Sequence, residues 1–149
     1  MPPSEPSRVF ISYARRDGAE LASRLQADLS AQGFDAWLDK QRIAGGAVWT
    51  EEIEREIDSR EVTVALLTPC SYESEICRAE QHRCLRKGRR LVPVLAASGA
   101  DRPLNVYARR YRDFSDASNY DVRLGELITY VRGNNVATDA ADTQAVVTQ

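Results

Sequence analysis

The sequence predicts an α/β domain with a flavodoxin-like, five-stranded parallel sheet in the order 2-1-3-4-5 and helices on both faces. Three observations predict it. Five short runs rich in β-branched and aromatic residues alternate with stretches whose apolar residues recur every three or four positions. Such alternation implies crossovers between parallel strands, with helices covering the sheet. A chain of 149 residues is the ordinary size of one domain and can bury a core.

Arg8-Val9-Phe10-Ile11-Ser12-Tyr13 is the first strand. Asp17 precedes a helical pattern with Leu21, Leu25 and Leu29 on one face, and Gly33 ends it. Phe34 to Leu38 reads as strand two, followed by a polar loop, Asp39 to Gly46. The Gly45-Gly46 pair there permits backbone conformations or close approaches that a β-carbon obstructs. Trp49, Ile53 and Ile57 recur every four residues among glutamates, the stripe of an amphipathic helix. Strand three is Val62 to Leu67, closed by Thr68-Pro69, and a third helix runs from about Ser74 to Lys87 before Gly88. Leu91 to Leu95 is strand four, and Pro93 within it suggests an edge or a strand irregularity. A loop from Ala96 to Arg110 leads to a short fifth strand around Arg112-Asp113-Phe114, and Leu124, Leu127, Ile128 and Val131 mark the last helix. The expected organisation is a disordered segment over 1–7, one domain over 8–132, and a polar tail or linker to a further domain over 133–149.

At 43% hydrophobic and 28% charged, the chain has neither a disordered nor a membrane composition. Its net charge of −2 offers no global attraction to nucleic acid. The odd set Cys70, Cys77 and Cys84 lacks CxxC spacing, against both a disulfide framework and a tetrahedral zinc site. Reduced thiols, no signal-like start and no long apolar run lead to the expectation of a cytoplasmic protein that does not enter a membrane.

In an open α/β sheet, ligands bind outside the carboxyl ends of the strands at the switch point, here between strands one and three. Ser12, Tyr13 and Thr68 should surround that crevice, with the Asp39 to Gly46 loop beside it and Glu80 about two turns into the third helix. Neither GxGxxG nor GxxxxGK[ST] is present. Strand three ends in Leu66-Leu67-Thr68-Pro69, without the aspartate of a phosphoacceptor domain. The single histidine, His82, points about 200° round the helix from Glu80, so no triad joins them.

Arg8-Val9-Phe10-Ile11-Ser12-Tyr13, then Gly33-Phe34-Asp35-Ala36-Trp37-Leu38-Asp39 with its glycine-bearing loop, then Ser74-Glu75-Ile76-Cys77-Arg78-Ala79-Glu80 resemble the box one, BB-loop and helix αC pattern of the TIR domain family. The resemblance covers about residues 8 to 132. What it implies is divided: many animal members are self-associating scaffolds, while others, including many bacterial ones, cleave the nicotinamide ribosyl bond of NAD. The enzymatic members carry a glutamate matching Glu80, so the resemblance implies a bacterial-type NAD nucleosidase with Glu80 as catalytic residue. It further implies Tyr13 and Trp49 as aromatic faces near the nicotinamide, Asp39, Arg42 and Gly46 in the loop bounding the site, and Ser74 and Cys77 beside Glu80; with Ser12 of the crevice, these are the expected substrate-binding residues. A carboxylate can stabilise an oxocarbenium-like ribosyl cation with no metal and no cofactor, NAD being the substrate.

Plainer roles compete. Glu80 can be a surface carboxylate paired with Arg78 or Arg83, Trp49 a core anchor, Tyr13 a strand cap and Cys77 a packing residue. The runs Arg83, Arg86, Lys87, Arg89, Arg90 and Arg109, Arg110, Arg112 are solvated surface, or a face that meets Glu51, Glu52, Glu54 and Glu56 of a second copy in a homo-oligomer or filament. Nucleic acid is disfavoured because no aromatics interleave these arginines. The alternative to an enzyme is a non-enzymatic TIR interaction module, and a ribosyl or base-exchange transferase is a third reading.

Overall fold

The structure, a computed structural model, describes residues 8–39, 50–96, 112–114 and 119–132. Strand β1 (Arg8–Ser12) leads into helix α1 (Arg15–Ala31), then strand β2 (Asp35–Trp37). Helix α2 (Glu51–Ser59), strand β3 (Val62–Leu67), helix α3 (Pro69–Glu73) and helix α4 (Glu75–Arg86) follow. Strands β4 (Arg90–Leu95) and β5 (Arg112–Asp113) and helix α5 (Tyr120–Val131) complete the domain. Every strand pair is parallel and the order is β2-β1-β3-β4-β5. The body of the sheet is β2-β1-β3-β4, because β5 contributes only two residues, opposite Val94 and Leu95.

Side chains alternate across a strand, and this splits the core in two. Val9, Ile11, Val64, Leu66, Val92 and Val94 pack with Leu25 and Leu29 of α1 and Leu127 and Val131 of α5. Phe10, Ala65, Leu67 and Leu91 pack on the other face with Ile53 and Ile57 of α2 and Cys84 of α4. Central β3 is buried at all six positions, which is why its sequence, Val-Thr-Val-Ala-Leu-Leu, reads as a continuous run and not as an alternation.

Helix ends follow local chemistry. Gly33, at φ 92°, closes α1 through Phe34 N–H to the Leu29 carbonyl and Gly33 N–H to the Ser30 carbonyl; Gly88, at φ 70°, closes α4 in the same way onto Cys84 and Leu85. Thr50 caps α2 by accepting from the Ile53 amide at 3.2 Å, with Glu51, Glu52 and Glu54 favouring the positive helix end.

Several expectations need correction. Asp17 does not precede the first helix: α1 starts at Arg15, placing Asp17 inside its first turn. Phe34 and Leu38 are buried but outside β2. The helix expected from about Ser74 to Lys87 is α4, capped by Ser74 and Lys87, but a separate short helix, α3, precedes it, and Ser74, at φ −80° and ψ 119°, divides the two. Trp49 lies outside the described residues, so only Ile53 and Ile57 of its stripe are seen in place. Pro93 pairs with Ala65 inside β4, and among the described residues β5 reaches only Val94 and Leu95 on the other side, so the proline sits where the sheet is running out.

In the basic run at the end of α4, Arg83, Arg89 and Arg90 are engaged within their own chain. Arg83 forms a two-pronged pair with Asp58 at 2.9 and 2.7 Å, Arg89 donates to the Asp58 carbonyl at 2.6 Å, and Arg90 donates to the Val131 carbonyl at 3.1 Å. Glu56 pairs with buried Arg60 at 2.7 Å, and Arg60 also donates to the Asp35 carbonyl at 2.7 Å. The expected meeting of these arginines with Glu56 of a second copy therefore competes with contacts already made. Among the described residues no helix is long and apolar enough to cross a membrane.

Candidate active site

Strands β1 and β3 lie side by side at the centre of the sheet, with Ser12, at the carboxyl end of β1, opposite Ala65 of β3. Ser12 is the last residue of β1 and is buried. Its hydroxyl donates to Oε1 of Glu80 at 2.8 Å, across 68 positions of sequence. Glu80 projects from α4 with 0% exposure, and its neighbour in the chain, Gln81, is buried as well. A buried carboxylate is costly unless hydrogen-bonded, and the fold supplies Ser12 for that purpose. The surface reading of Glu80, paired with Arg78 or Arg83, is excluded: the side chain is sealed from solvent and Arg83 is committed to Asp58.

Ser74 and Cys77 stand one to two turns upstream on the same helix. Ser74 caps α4, its Oγ accepting from the Cys77 amide at 3.2 Å, and the Cys77 side chain is buried. All three cysteines are free. The cap fixes where α4 begins and hence the height at which Glu80 meets Ser12.

Tyr13 takes a different course. It packs in the α1-side core with Val9 and Ile11, on the face opposite the Ser12–Glu80 contact, and its hydroxyl donates to the Asp39 carbonyl at 2.7 Å. Tyr13 thus tethers the root of the loop that starts at the buried Asp39, and its ring lies in that core cluster. Arg42, Gly46 and Trp49 lie outside the described residues.

One further element left no sign in the sequence. Asp17 accepts from the Thr68 hydroxyl at 2.6 Å and from the Cys70 amide at 3.0 Å, joining the start of α1 to the β3–α3 junction. Thr68 itself is fully buried and exchanges capping bonds with Ser71: its Oγ1 accepts the Ser71 amide at 3.1 Å and its amide donates to Ser71 Oγ at 2.8 Å. A side-chain hydrogen bond to the same Asp17 carboxylate pushes the Cys70 thiol up from its usual range. Thr68-Pro69-Cys70-Ser71 is legible as a helix start, but a contact 51 residues away is not. Among the described residues no three His, Cys, Asp or Glu side chains gather as a metal site.

Comparison with known proteins agrees with the fold. An alignment over 95 positions, covering 58% of this chain, is 28% identical to the Drosophila melanogaster protein named NAD(+) hydrolase sarm1, of which it spans 7%. The fold is similar to the TIR domain of the Toll-related receptor TRR-2 from Hydra magnipapillata, with a TM-score of 0.69 at 21% identity, covering 84% of this chain and 98% of that one. It is also similar to the TIR domains of the activated Roq1 resistosome, with a TM-score of 0.53 at 16% identity over 95% and 98% of the two chains. The family model described as TIR domain matches residues 9–128, and with that match over most of its length the chain belongs to the TIR domain family.

Proposed function

We propose that this domain cleaves NAD between nicotinamide and ribose, with Glu80 as the catalytic carboxylate. The ribosyl C1′–nitrogen bond breaks, its electron pair goes to the nicotinamide ring nitrogen, and neutral nicotinamide leaves. The carboxylate stabilises the positive charge left on the ribosyl group. Capture by water releases a proton and gives ADP-ribose; capture by a nitrogen of the same molecule gives a cyclic isomer. The residues need neither a metal nor a second cofactor for this. The reading extends to activation by self-association, within a larger defence or signalling protein of bacterial type, through surfaces other than the arginines bound to Asp58 and the α5 carbonyls.

One observation carries the proposal: a carboxylate with no solvent exposure, held by Ser12 at the carboxyl end of the central strands. A merely solubilising glutamate would stay in water, whereas a buried one is retained at a cost that function can justify. The name of the Drosophila relative supports NAD as the substrate.

The same burial favours the alternative of a non-enzymatic interaction module, since a sealed Glu80 reaches no substrate until the residues over it move. Incubating concentrated protein with NAD and separating nicotinamide from ADP-ribose products decides between the two. The enzyme releases nicotinamide and Glu80→Ala does not. Equal background release by both, even under crowding, sinks the enzymatic reading.

A further inference from the structure

We infer that Ser12 is a positioning residue for the Glu80 carboxylate and not a substrate contact. The inference rests on the NAD-cleaving reading of Glu80. Its basis is geometric. Glutamate has three rotatable side-chain bonds, and a carboxylate that must meet a developing cation at one place loses rate if it samples several. Ser12 has one hydroxyl proton, and that proton is directed at Glu80 Oε1 at 2.8 Å. Both side chains are buried, so water does not compete for the bond and its geometry is held. The base is rigid as well: Ser12 sits in register with Ala65 on central β3, so the donor belongs to the sheet and not to a loop. Throughout the reaction Ser12 keeps its proton; it donates, and neither attacks nor transfers.

The test is steady-state kinetics of nicotinamide release by the full chain and its variants, with melting temperature as the control for folding. Ser12→Ala removes the donor, and the expected result is a fall in kcat of about ten- to a hundredfold with KM within about twofold of wild type. Ser12→Thr keeps a hydroxyl at the same carbon and recovers most of kcat. A rise in KM at unchanged kcat would mean that Ser12 binds substrate, and it overturns the inference. So does Ser12→Ala activity equal to wild type, or a Ser12→Thr variant that folds yet is as slow as alanine. Should alanine prevent folding, Ser12→Cys, close in size and a weak donor, is read by the same criteria. Wild-type protein that releases no nicotinamide brings down the NAD reading itself, and the positioning role with it. Active wild type with an indifferent Ser12→Ala brings down the positioning role alone.

Discussion

Replacing Glu80 by glutamine is expected to remove activity while leaving the domain as stable as wild type or slightly more so. The side chain has 0% exposure and accepts from Ser12 at 2.8 Å. Taking a carboxylate out of water costs several kcal/mol even after the surroundings relax, and each hydrogen bond to it returns about 1.5–3 kcal/mol. Glutamine has nearly the same shape and retains an oxygen that can accept from Ser12, without the cost of burying charge. The net change is expected to be about 1 kcal/mol in favour of the variant, a rise of about 2–4 °C in Tm for a domain of this size. The reaction moves the other way. A cation developing about 4 Å from a carboxylate is stabilised by about 4 kcal/mol at an effective dielectric constant of 20, so the neutral amide should slow nicotinamide release by about a thousandfold. Calorimetry and the nicotinamide assay on one preparation read both quantities. A fall in Tm of about 10 °C or more would show that the charge holds the fold together, and a glutamine variant within about tenfold of wild-type rate would refute the electrostatic role.

Further outcomes follow from the pairs around the site. Asp17→Asn removes the carboxylate that raises the Cys70 thiol, so iodoacetamide should alkylate Cys70 faster at mildly alkaline pH, read by mass spectrometry against the buried Cys77 and Cys84; an unchanged rate refutes the contact. Arg83, through its hydrogen bonds, holds the Asp58 carboxyl below its usual value of 3.8. A folded value below the unfolded one stabilises the fold at pH above the unfolded value, and that contribution is lost as pH falls through the folded one. Arg83→Gln should therefore lower the urea midpoint at neutral pH, with the gap closing toward about pH 3; a gap independent of pH counts against the pair.

The sheet was legible because its strands carry their own signature. Val62 to Leu67 is a run only a doubly covered strand tolerates, and Gly33 and Gly88 mark helix ends through backbone geometry that residues with a β-carbon rarely adopt. Glu80 was legible as a position, from Thr68-Pro69 and the helix that follows. Its surroundings were not, because burial and the bond to Ser12 depend on how α4 lies across β1, and periodicity in α4 does not encode that. Tyr13 illustrates the limit: the sequence places it beside Ser12, but consecutive residues leave a strand end on opposite sides. The start of α4 near Ser74 was legible, and the capping bond from Cys77 holds it there; the separate helix α3 before it was not, because five residues are too few to show a period. Asp17 was assigned to a helix start, where an acid is always welcome, and that sufficient local reason hid its longer-range contact with Thr68.

The end of β1 joins two mechanical duties in a single peptide unit. On one side of the sheet the Ser12 hydroxyl grips the Glu80 carboxylate; on the other, the Tyr13 hydroxyl grips the carbonyl of Asp39. No hinge residue separates them, so any tilt of that peptide turns both grips together, like the two pans of a balance on one beam. The root of the loop after β2 and the carboxylate on α4, though far apart in sequence, share one point of support. A backbone change there, such as Ser12→Gly or Ser12→Pro, would disturb both at once, whereas side-chain changes at either residue would disturb only one.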